Sequence, residues 1–94
     1  FPYYRLECKL IYMDFDNYIL EFVQHYKKLK FDKIIIYDNN EIKGENFSII
    51  LKNDFKNNFV KIVNIRGFKT PQKKALEHCY KYNNYYYEWI AFMI

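Results

Sequence analysis

Between Phe31 and Asn40 the chain reads FDKIIIYDNN, a stretch that leaves little choice of fold. Ile34 to Tyr37 are β-branched or aromatic with no charge among them, which suits a strand buried on both faces. The run stops at Asp38, Asn39 and Asn40, short polar side chains that favour turns and tolerate unusual backbone angles. In an open α/β sheet, ligands lie beyond the carboxyl ends of the strands. Asp38, Asn39 and Asn40 are therefore the first candidates for a binding site.

The flanking sequence alternates strand and helix patterns. Leu6 to Tyr12 reads as a first strand, and Asp16 or Asn17 can cap the helix that follows. From Tyr18 the apolar residues fall at 18, 19, 22, 23, 26 and 29, one helical stripe, with the helix ending around Lys30. After a polar loop at 41–45, a second helix is expected from Asn46 or Ser48 through Leu51, ending near Asn53-Asp54. Phe59 to Ile65 alternates like a strand nearer the sheet edge. Pro71 suits a first helical turn, and Ala75, Leu76, Cys79 and Tyr80 form the expected stripe of the third helix, stopped by Asn83-Asn84. Glu88 to Ile94 is a fourth strand. This order predicts a three-layer α/β fold with a mostly parallel sheet and right-handed crossovers, the fourth strand lying beside the first.

Composition agrees with one small domain. Hydrophobic residues make up 51% of the 94, enough for a core, and two Gly and two Pro leave no room for a linker. No apolar run approaches the roughly 20 residues that span a bilayer, and no cationic leader with an apolar core opens the chain. The first residue is Phe1 and an apolar run reaches Ile94, so the expectation is a partial domain, cut from a longer protein. The net charge of +4 invites a nucleic-acid partner, but thirteen of the fifteen basic residues are lysines scattered along the chain. Without an Arg-rich stripe, no specific nucleic-acid binding is expected. Cys8 and Cys79 both sit among apolar neighbours and read as buried free thiols, which points to a reducing, cytoplasmic setting. His78 and Cys79 are adjacent on a helix and point apart, so they do not form a metal pair. His25 has no evident partner for catalysis, and Asp14 and Asp16 read as turn and cap groups. Trp89, Phe92 and Tyr85 to Tyr87 read as packing and strand residues.

The order of these elements also resembles a known family. Tyr18-Ile19-Leu20-Glu21-Phe22, the 31–40 strand with its Tyr-Asp-Asn-Asn end, Gln72-x-x-Ala75-x-x-x-Cys79, and Trp89-Ile90-Ala91-Phe92 together look like the amino-terminal half of a GT-A fold glycosyltransferase. The likeness is to glycosyltransferase family 92 and related family-2-like proteins, and it runs from about Leu6 to Phe92. It implies a Rossmann-like, nucleotide-sugar-binding half, with Asp38, Asn39 and Asn40 holding the base or ribose of a donor, expected to be UDP-linked. Gln72 would face the same crevice, and Met13 and Asp14 would be first-strand-end contacts. In that family a glycan or other acceptor receives the sugar, and an Asp-x-Asp motif binds Mn²⁺ or Mg²⁺. This chain departs from the pattern twice. Met13-Asp14-Phe15 stands where the family has Lys-Asn-Glu, and Ile94 stands where the first metal-binding Asp would be. Hence no metal ligand and no catalytic base is expected within these residues. The alternatives are a catalytically inactive or vestigial nucleotide-binding domain and a small basic nucleic-acid binder.

Overall fold

The computed structural model describes residues 3–11, 16–39, 51–65 and 67–93. The elements are β1 (Tyr3–Ile11), α1 (Asp16–Lys28), β2 (Lys33–Asp38), α2 (Lys52–Lys56), β3 (Val60–Asn64), α3 (Pro71–Asn83) and β4 (Tyr87–Met93). Four strands form one sheet in the order β3-β2-β1-β4, and every neighbouring pair is parallel. The strand order reverses between β1 and β4, as at the switch point of a doubly wound sheet. The chain is thus an α/β domain of Rossmann-like type.

Alternation along the strands feeds two apolar layers. Leu6, Cys8, Leu10, Ile35 and Tyr37 meet Ala75 and Cys79 of α3 on one face. Ile11, Ile34 and Ile36 meet Ile19 and Val23 of α1, with Leu51, on the other. This two-sided burial is why residues 34–37 carry no charge: every side chain of the run is covered.

The α1 stripe is Ile19, Phe22, Val23 and Tyr26, as the spacing predicts, while Tyr18 and Leu29 stay largely exposed. Its end is a Schellman turn. Lys30 takes a left-handed conformation (φ 64°), its N–H bonds the Lys27 carbonyl, and the Phe31 N–H bonds the Tyr26 carbonyl. The Phe31 and Tyr26 rings meet edge to face at 4.9 Å, supplying the apolar contact that such a turn favours. Arg5 donates to the Leu29 carbonyl from across the turn.

Asp32 fixes how this turn enters the sheet. One of its carboxylate oxygens accepts the N–H groups of Tyr4 and Arg5 at 2.7 and 2.8 Å, and its own N–H bonds the Arg5 carbonyl. This clamp carries β1 upstream to Tyr3, three residues before the Leu6 expected from the pattern; Tyr12 lies outside the described residues. Asp32→Ala is expected to lower stability by about 1 kcal/mol, since charge-assisted bonds are lost from a site that water still reaches. Chemical denaturation reads this directly, and an unchanged midpoint would reject it.

Three further features differ from expectation. The helix expected to stop at Asn53-Asp54 runs on to Lys56; its proposed start lies outside the described residues. Asp54 is held there by Lys27 at 2.5 Å, and the turn closes only at Asn58, whose φ of 60° an Asn tolerates. In α3 the inward line is Ala75, His78 and Cys79, while Leu76 and Tyr80 are more than half exposed. Two tethers turn the helix this way: His78 bonds Tyr37 below it, and Cys79 is joined to Cys8. The free-thiol expectation is therefore corrected. Cys8 and Cys79 form a disulfide, with Cα atoms 6.4 Å apart, because residue 8 on β1 points straight at the α3 face.

Candidate functional site

Asp38 is the last residue of β2, an inner strand, and aligns with Ile11 of β1 and Asn64 of β3. Its carbonyl accepts the Ile65 N–H, and the Asn39 N–H bonds the Ile11 carbonyl. Both neighbouring strands thus hold the backbone, so the end of β2 is fixed in place. The Asp38 side chain is 5% exposed and Asn39 is half-buried. This carboxylate is buried at the carboxyl end of an inner strand, one strand from the β1/β4 reversal.

Gln72 stands elsewhere in character. It is exposed in the first turn of α3 and lines a shallow depression with Thr70, Pro71 and Lys73, which includes neither Asp38 nor Asn39. Thr70 precedes the helix without making a side-chain cap bond. Asn40, Met13 and Asp14 lie outside the described residues. Among the described residues no three His, Cys, Asp or Glu side chains converge to hold a metal ion, and no helix is long and apolar enough to cross a membrane.

Two polar groupings that sequence patterns did not single out lie beneath and beside the sheet. In the first, the Tyr37 hydroxyl meets His78 Nδ1 at 2.8 Å, and the His78 and Tyr82 rings face each other at 4.5 Å. Burial holds the Tyr37 phenol far above its usual range, so it stays protonated. Burial, then the Lys61 ammonium, lowers the His78 imidazole, which keeps it neutral near pH 7.

The second is Glu7, 1% exposed at the middle of β1. Its Oε1 has no hydrogen-bond partner among the described residues. Burial pushes its carboxyl up to about 7, against the weaker opposing pull of the Tyr26 hydroxyl and the Lys9 ammonium. The signal for Glu7 was the strand order. In LECKL a polar residue at every second place reads as a wet face, but on a strand with neighbours on both sides and α1 above, residue 7 is covered.

In comparisons with known proteins, no family model matches the chain, and no curated protein or solved structure shows significant similarity to it.

Proposed function

We propose that this chain is the donor-binding half of a glycosyltransferase, in which Asp38 and Asn39 hold the ribose or base of a UDP-linked sugar that passes to a glycan or other acceptor. The observation that carries this reading is the position of Asp38, a buried carboxylate at the carboxyl end of an inner parallel strand, one strand from the strand-order reversal. A carboxylate there accepts hydrogen bonds from ribose hydroxyls or a uracil N–H, and the Asn39 amide both donates and accepts. A divalent cation would neutralise the diphosphate in the full-length domain. The described residues supply no ligand set for one, so no step is routed through it. The Cys8–Cys79 bridge removes the free-thiol argument for a cytoplasmic setting.

The test is a titration with UDP, with and without Mn²⁺, read from backbone amide resonances. Trp89 is a poor reporter, since it precedes the end of β4 by four residues, roughly 13 Å of strand. Shifts at Ile11, Asp38, Asn39 and Asn64 are expected. Asp38→Asn is expected to weaken binding about tenfold, the scale of one charge-assisted hydrogen bond. Asn39→Ala leaves the buried carboxylate in place and is expected to weaken binding by a smaller factor. No saturable shifts at the carboxyl ends of the strands would reject the reading, whatever the state of the variants.

A further inference from the structure

A cavity of about 360 Å³ opens between β3 and α3, with Val63, Ile65 and Phe68 on one side and Lys74, His78 and Tyr82 on the other. Its size falls within the range of small-molecule sites. Its character comes from the histidine. Tyr37 is fully buried, and among the described residues its hydroxyl proton has no acceptor other than His78 Nδ1. A buried hydroxyl left without an acceptor is costly, so Tyr37 donates and Nδ1 accepts. The neutral imidazole then carries its proton on Nε2, the ring nitrogen that Tyr37 does not engage, and His78 is part of the cavity lining. A fixed N–H donor therefore stands at an apolar cavity that is also lined by the Lys74 and Lys81 side chains. Among the described residues of the lining Glu77 is the one acid, against two lysines there and Lys61 near the imidazole. The balance is cationic.

We infer that this β3–α3 cavity binds a small aromatic carboxylate, its ring between Phe68 and Tyr82 and its carboxylate on His78 Nε2 and the Lys74 and Lys81 ammonium groups. An apolar floor with aromatic walls favours a flat ring over a hydrated sugar. One N–H donor and two cations at the rim favour a single anionic head over a neutral one. The site shares neither Asp38 nor Asn39, so it stands or falls independently of the nucleotide-sugar reading.

The probe is 2-naphthoate, compared with neutral 2-naphthamide of the same shape, both followed by amide and imidazole resonances. Saturable shifts at Ile65, Phe68, His78 and Tyr82 are expected for naphthoate, roughly in the millimolar range. Naphthamide is expected to bind at least about tenfold more weakly, the difference between a charged and a neutral hydrogen-bonded head. The Lys74→Gln/Lys81→Gln double variant, changed only at exposed positions, is expected to bring naphthoate down to the affinity of naphthamide. Equal binding of acid and amide would overturn the assignment. So would shifts centred elsewhere, or no saturable response from the folded protein.

Discussion

Reducing the Cys8–Cys79 bridge is expected to lower the stability of the folded domain by about 4 kcal/mol, the loop-closure entropy of a bridge this long in sequence. The two cysteines are separated by 71 residues, so the bridge restricts most of the unfolded chain. In the folded state little is lost on reduction, because both side chains are fully buried and a thiol fills nearly the same volume. A domain of this size has a total stability of roughly 5–15 kcal/mol, so the effect is a large part of it. Denaturant unfolding with and without a phosphine reductant measures the difference, with alkylation and intact mass confirming the thiol state. Cys8→Ala/Cys79→Ala should unfold at one midpoint regardless of reductant, and below the oxidised wild type. Oxidised and reduced wild type agreeing to within about 0.5 kcal/mol would show that the bridge does not constrain the chain as argued.

Two cysteines far apart in a chain carry no spacing pattern, and the apolar neighbours of each suit a buried thiol as well as a buried bridge. Only the register decides. Cys8 shares a face with Leu6 and Leu10, and Cys79 sits on the α3 line that covers that face. The strands and helices themselves were far more legible. The uncharged 34–37 run marked β2 as an inner strand, Pro71 and Asn83 bracketed α3, and the strand–helix alternation implied the parallel order that is observed. Boundaries failed where a long-range contact set them, as Asp32 does at the start of β1 and Lys27 does at Asp54.

The candidate site divides along the same line. The strand-end position of Asp38 and Asn39 was legible because a strand end is a local signal, and their place at the carboxyl edge follows directly from it. Gln72 is exposed on the first turn of α3 and lines a depression that includes neither Asp38 nor Asn39, a placement that no local pattern supplies. The Tyr37–His78 pair joins residues 41 positions apart and has no signature in either segment. Hydrophobic patterning locates layers well, whereas polar partnerships between elements wait on the rotation of each helix about its axis.

Glu7 shows what such a partnership does to stability, and its effect has a definite sign. Its carboxyl titrates at about 7 in the folded protein, above its ordinary value of 4.5. The folded state therefore holds a proton that the unfolded chain has released between those values. Stability is then greatest below about pH 4.5 on account of this residue and declines as pH rises through 7. The opposing groups on its face of the sheet are few. Lys9 and Arg5 project from alternate positions of β1, and Lys9 is itself lowered by burial. Among the described residues of α1 the Tyr26 hydroxyl reaches Glu7, and it also lies 2.8 Å from Met93 Sδ on β4. Ala91, paired with Glu7 across the β1–β4 ladder, is exposed, so water screens part of the charge. Allowing for that screening, Glu7 should cost the domain about 2 kcal/mol at pH 8 relative to pH 4.5. Glu7→Gln keeps the shape and the acceptor for Tyr26 but carries no charge at either pH. Thermal unfolding at pH 5 and pH 8 is expected to show the variant matching wild type at the lower pH and exceeding it at the higher. A wild type that gains stability from pH 5 to 8, with Glu7→Gln losing that gain, would mean the carboxylate is paired and charged in the folded state, the reverse of the burial described above.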